Sequence, residues 1–343
     1  MSRAALVLLA LAAGAAHAGV PTTVWERALD KDVTAARDRY AGALAEGDDL
    51  AVRANARGQS RTAVVTLIDQ ALAAYRTAAG LQPTEAEPYW RIASVLENYF
   101  TDCESTAFGA AVPITCVPKG SAINLGRARA AVEAYDAFEQ RAPLDPRSTE
   151  LLFRRAILRT KLVDGAKDPR PLLEGALADY RAMIDRAGGL YDPGLEQVWG
   201  NLAETYMMIG RLEEAIDTYR RALRTTGDTS TAYGLAVALD RDGNEAEAVR
   251  IIRSQPIEEF RRYQYRYAEG AVFYVPRGEE FYYFALVYEA HGYATEAIGN
   301  WRLFLQSGAH PQYQARAKAH LDALLKTRPA RQLPSPDVFD LWP

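Results

Sequence analysis

Residues Glu196 to Asp228 read EQVWGNLAETYMMIGRLEEAIDTYRRALRTTGD, and this stretch decides the fold. Trp199, Leu202, Ala203 and Tyr206 fall on one face of a first helix. Gly210 allows a tight turn, and Ala215, Ile216, Tyr219, Ala222 and Leu223 fall on one face of a second. Neither helix buries its apolar stripe alone, so the pair must lean on a neighbour.

On either side of this stretch the second-helix pattern recurs along the chain. Ala71, Tyr75, Ala78 and Pro83 carry it first, and Ala131, Tyr135, Phe138 and Pro143 repeat it at the same spacing. Ala176, Tyr180, Met183 and Gly188 follow, then Ala215, Tyr219, Ala222 and Gly227. Ala248 with Ile252 is a weaker copy, and Ala297, Trp301 and Phe304 restore the aromatic. The small Ala lets two helices approach, and the aromatic four residues on fills the gap to the next pair. First helices fit between, as in Tyr89-Ile92-Ala93-Leu96, Phe153-Ala156-Ile157, Ala232-Leu235-Ala236-Leu239 and Phe281-Phe284-Ala285-Tyr288.

The spacing in 196–228 resembles the tetratricopeptide repeat, W-x2-L-G-x2-Y, then A-x3-F, then P. Ala203 replaces its Gly, and Gly227 replaces the closing Pro. The resemblance extends from about Arg61 to Leu325 and implies an all-α superhelical solenoid of about six helix pairs. Residues 19–60 are expected to form capping helices, with Gly47, Asp48 and Asp49 interrupting the pattern, or to hide a degenerate repeat. Residues 61–326 form the array, closed by a helix that Pro311 opens. Residues 327–343, with Pro329, Pro334, Pro336 and Pro343, read as an extended tail, and whether it docks on the array stays open.

Two insertions break the period. Residues 100–123 carry Cys103 and Cys116 and read as a surface loop. Between Pro256 and Arg277, Tyr263, Tyr265 and Tyr267 alternate with Gln264 and Arg266, which predicts a small β-hairpin.

The N-terminus has the form of a cleavable export leader. Arg3 precedes an apolar run, Ala4 to Ala13, and Ala16-His17-Ala18 closes residues 1–18 before Gly19. The run is too short to span a bilayer, and no Cys follows it to take a lipid anchor. The reading is an exported bacterial protein, periplasmic or peripheral to the outer membrane. Thr23 and Glu26 then form a capping box for the first helix. Export permits a Cys103–Cys116 disulfide, which would add about 3 kcal/mol, against the alternative of two buried thiols.

Chemistry is scarce. The net charge of −4 gives no basic field for nucleic acid. G-x-x-x-x-G-K-[ST], G-x-G-x-x-G and G-x-S-x-G are absent, and His291, His310 and His320 make no metal motif. Leu239-Asp240-Arg241-Asp242-Gly243-Asn244-Glu245 resembles a calcium loop faintly, but only two of the early ligands appear and Gly243 falls where the repeat turn needs it. The chain reads as a non-enzyme without metal or cofactor.

What a stacked array offers is a concave groove. Projecting the first helices places Trp90, Arg91, Ser94 and Asn98 in it, then Arg154, Arg155 and Leu158, Asn201, Glu204 and Met208, Tyr233, and Tyr282 and Tyr283. The resemblance implies binding of extended peptides, with Asn201 placed like the Asn that holds peptide backbone in that family. The expected function is a scaffold gripping segments of other envelope proteins, acidic groups toward Arg91 and Arg154 and apolar groups toward Tyr282. The local alternative pairs these Arg with Glu97 and Glu150. A rival of another class is a carbohydrate- or peptidoglycan-binding factor that stacks sugars on the groove tyrosines.

Overall fold

The aromatic ladder folds as its spacing demands. A computed structural model describes residues 24–56, 59–98, 122–186, 195–268, 275–276 and 278–327. The leader at 1–18, Thr23 of the capping box, Cys103 and Cys116, and the tail from residue 328 lie outside the described residues.

The elements are α1 (Val24–Ala54), α2 (Arg61–Leu81), α3 (Glu87–Asn98), α4 (Ala122–Arg141) and α5 (Ser148–Lys161). They continue as α6 (Arg170–Arg186), α7 (Glu196–Met208), α8 (Leu212–Thr226), α9 (Thr229–Arg241) and α10 (Glu245–Arg253). Last come α11 (Ile257–Ala268), α12 (Glu280–Ala290), α13 (Ala294–Ser307) and α14 (Gln314–Lys326). Six of these pairs are helix hairpins: α1/α2, α3/α4, α5/α6, α7/α8, α9/α10 and α12/α13. First helices of successive pairs also touch, α5 with α7, α7 with α9 and α9 with α12, so the hairpins stack in two layers.

Three second helices bury their ladder completely, Ala71, Tyr75 and Ala78 in α2, Ala131, Tyr135 and Phe138 in α4, Ala297, Trp301 and Phe304 in α13, while Met183 of α6 is half-buried. Three hairpin turns use a left-handed glycine: Gly292 between α12 and α13, at φ 84°, and Gly210 between α7 and α8, at φ 83°. Gly243 does the same between α9 and α10 at φ 87°, which settles the calcium-like stretch as a turn. Asp228 and Asn244 cap the next two helices through Thr231 N and Glu247 N.

Three expectations are corrected. Gly47-Asp48-Asp49 does not interrupt α1, which is continuous over 31 residues. Gly47 is there for close approach instead, since a Cβ at that position would lie 2.4 Å from the Tyr75 ring. The hairpin is the second correction, because its first half is helix α11. Phe260, Tyr263 and Tyr267 recur at helical spacing and face inward, while Tyr265 is 49% exposed. The alternation of tyrosines was a coincidence of a period-3.6 pattern. Residues 269–274 of that stretch lie outside the described residues. Third, α5 turns Leu151, Leu152, Arg155, Ala156 and Leu158 inward, so Phe153 and Ile157 sit only half-buried.

Among the described residues there is no strand. No described helix is long and apolar enough to cross a membrane. The last pair is closed by a 3-10 turn at Pro311–Tyr313 and then α14, which packs on α13.

Candidate functional site

The N-terminal pairs hold an open cavity of about 390 Å³ where α1, α2 and α3 meet. Val52, Tyr75 and Trp90 give it an apolar floor, and Asp48, Arg91 and Ser94 stand around it. Its walls are held in place by their own contacts. The Tyr75 hydroxyl donates to Asp48 Oδ1 at 2.8 Å, and Asp48 Oδ2 pairs with Arg91 at 3.3 Å. Arg91 also reaches Glu87 at 3.2 Å along its own helix. Trp90 lies 5.2 Å from the Phe138 ring and 5.9 Å from Tyr135, with the Arg147 guanidinium 5.0 Å above it. The arrangement can seat one apolar side chain on a preset aromatic wall while Arg91 meets a carbonyl or carboxylate beside it. Asn98 closes α3, and its side chain lies outside those described.

The two arginines of the next pair separate sharply. Arg154 stays partly exposed, with Nη1 on Glu97 at 3.0 Å and Nε on Glu150 at 2.8 Å. Arg155, 5% exposed, grips Asp179 of α6 with two nitrogens, at 3.0 and 2.7 Å. Its Nη1 pairs with Asp136 and Glu139 of α4, at 2.8 and 2.7 Å. It therefore clamps α4, α5 and α6 together and is not a ligand residue. The placement of Arg155 in the groove is corrected, because α5 is rotated about one residue from the projected register. Leu158 is buried with it.

The C-terminal half of the projected groove is interior. Asn201, Glu204, Tyr233, Tyr282 and Tyr283 are all buried. Tyr282 donates to Asp240 at 2.6 Å and Tyr283 to Glu204 at 2.7 Å. Tyr233 meets Phe260 at 5.7 Å and Tyr263 at 5.2 Å, so the inserted helix α11 covers the first-helix face of α9 and α12. Buried as they are, these five residues cannot meet a partner as projected: α11 covers Tyr233, and Tyr282 packs against Trp301 and Phe304 of α13. Met208 remains half-buried at the end of α7.

That interior is unusually polar. Burial pushes the Glu204 carboxyl well above the usual carboxylate range, with the nearby Glu279 charge adding to it. Burial also disfavours charge on Glu279, but Arg241 and His310 outweigh it and hold its pKa at about 2. Arg241, wholly buried, pairs with Glu279 between the rings of Tyr282 and Tyr313.

Asp240, Glu245 and His320 bring ligand atoms within 4.8 Å of one another, a grouping spread over 80 residues that sequence spacing gave no sign of. A cation already sits there: Arg316 Nη2 bonds Asp240 at 2.5 Å and Glu245 at 3.1 Å. His320 faces Asp240 through one nitrogen and Glu289 through the other, each at 3.1 Å. Burial opposes its charge, yet these carboxylates raise its pKa to about 9. The cluster instead ties α14 to α9 and α12.

Residues 196–228 match the tetratricopeptide repeat family. Among solved structures, the crystal structure of the P58(IPK) TPR domain is similar at 16% identity, covering 90% of this chain and 72% of that one, with a TM-score of 0.33. No curated protein matches the chain. The 196–228 match falls on α7 and α8, the stretch in which the repeat spacing is clearest.

Proposed function

We propose that this chain, whose helix hairpins include a tetratricopeptide repeat at 196–228, is a non-catalytic protein-interaction scaffold. Repeats of this kind generally serve protein–protein contact, and the surface that suits that use here is the N-terminal part of the array. The observation that carries the reading is the cavity of about 390 Å³ floored by Tyr75 and Trp90 beside Arg91. An extended partner segment would place an apolar side chain on Trp90 and a carbonyl or acidic group on Arg91. Partly exposed Arg154 lies on the next first helix, in line to meet a further acidic group.

The leader pattern at 1–18 supports an exported, envelope-located protein as part of the same proposal. The sugar-stacking alternative depends on Tyr282 and Tyr283, which are buried, and we do not carry it forward.

The test is recovery of a partner from envelope extract by the mature chain and by Ser94→Trp, which fills the cavity. The reading expects one protein recovered by wild type, weakened by salt, and lost with Ser94→Trp while the unfolding transition is unchanged. Recovery that ignores Ser94→Trp would move binding elsewhere on the array.

A further inference from the structure

The array does not share one apolar core. Among the described residues the buried apolar side chains fall into two clusters, and α5 contributes to both. Leu151 and Leu158, with Leu162 just past the helix end, join the N-terminal cluster of Leu50, Tyr75, Leu96 and Phe138. Ala156 joins the C-terminal cluster of Tyr180, Tyr219, Tyr283 and Trp301, and Phe153 packs against it. The helical register sets Arg155 and Arg159 between these two faces of α5. Ions therefore fill the seam. Arg155 joins Asp136 and Glu139 of α4 to Asp179 of α6. Arg159 spans the same gap, to Asp136 at 3.1 Å and Asp179 at 2.6 Å. Arg186 of α6 adds a pair with Glu139 at 3.7 Å.

A stack of hairpins is held by each pair's own stability and by its coupling to its neighbours. Apolar coupling follows the area covered and has no required direction. Ion pairs offset their desolvation only while their geometry holds, so a seam built from them couples its two sides less firmly.

We propose that the array consists of two cooperative units, α1–α4 and α6–α14, with α5 as the joint at which the N-terminal unit opens and unfolds without its neighbour. The N-terminal unit has the smaller cluster and is the less stable of the two. Its carboxylates on α4 are the part of the joint that lets go. The cavity at Trp90 lies wholly within this unit, so an occupant there would steady one unit and leave the other unchanged. The division rests on the core and the ion network, and it does not depend on the scaffold reading.

Urea titration of the full chain carrying fluorotryptophan, followed by fluorine NMR, tests this. Trp90 reports the N-terminal unit, and Trp199 and Trp301 report the C-terminal one, each resonance being assigned with a Trp→Phe variant. The expected result is loss of the native Trp90 signal about 1 M urea or more below the shared midpoint of Trp199 and Trp301. Asp136→Asn with Glu139→Gln removes the α4 carboxylates while keeping their volume, and it lowers the Trp90 midpoint further. It leaves the Trp199 and Trp301 midpoint in place, because the seam is already open when the second unit unfolds. One transition shared by all three tryptophans in the wild-type chain overturns the proposal. A double variant that lowers all three midpoints equally overturns it too.

Discussion

Tyr75 of α2 donates its hydroxyl to Asp48 of α1 at 2.8 Å, and Gly47, one residue earlier, lies flat against the same ring. The pattern recurs down the array. Tyr135 donates to Glu97 at 2.5 Å, Tyr219 to Glu204 at 3.1 Å, and Trp301 to Glu289 at 2.8 Å. In each case the aromatic of a second helix is anchored by an acid on the first helix of its own hairpin.

Gly47→Ala therefore costs more than an ordinary helix substitution. Its Cβ would lie 2.4 Å from the Tyr75 ring, so helix propensity argues for a gain and sterics for a loss. Sterics win, with a destabilisation of about 1–3 kcal/mol in urea unfolding. In a Tyr75→Leu background the penalty should disappear.

Arg154 and Arg155 are neighbours in sequence with unequal consequences. Arg155→Ala leaves buried Asp179 held by Arg159 alone, at 2.6 Å, so the cost falls at the low end for a broken buried pair, about 3 kcal/mol. Arg154→Ala breaks pairs that are partly solvated, and about 1 kcal/mol or less is expected. Equal effects in denaturant titrations would contradict the clamp assigned to Arg155.

Glu204→Gln should stabilise the array at neutral pH. Burial favours the protonated form of this carboxyl in the folded state relative to the unfolded chain, so stability falls as pH rises above about 4.5. An amide keeps the acceptor for Tyr219 and Tyr283 without that cost, a gain of about 1 kcal/mol or more. Near pH 4 the gain should vanish.

His320 moves stability in a higher window. Its folded pKa of about 9 lies above the ordinary value of 6.5, so its contribution is complete below pH 6.5 and lost by about pH 9. Thermal melts across that window should show the decline, on the order of 3 kcal/mol in total, and His320→Gln should flatten it.

Much of the architecture was legible because small and aromatic residues at fixed spacing have one use in a stack of hairpins. Ala131, Tyr135 and Phe138 are buried together as their spacing required. The site was less legible for two physical reasons. Helix projection fixes a face only to within about one residue, and Arg155 turned inward on that margin while Arg154 did not. A projected groove also presumes that nothing fills it. The residues of α11 that cover Tyr233 carried a helical pattern, Phe260-Tyr263-Tyr267, beneath a more conspicuous alternation of tyrosines. The acids that anchor the ladder were visible only as charges on helices, since a hydrogen bond across a hairpin has no signature in spacing.

In the proposed scaffold the N-terminal cavity, and not the tyrosine-rich C-terminal half, receives the partner. Site-specific photocrosslinking in cells tests it directly, with the photoreactive residue at Ser94 in the cavity or at exposed Tyr265 on α11. A discrete adduct to one protein from Ser94, and none from Tyr265, is the predicted result. An adduct from Tyr265 with none from Ser94 would contradict it.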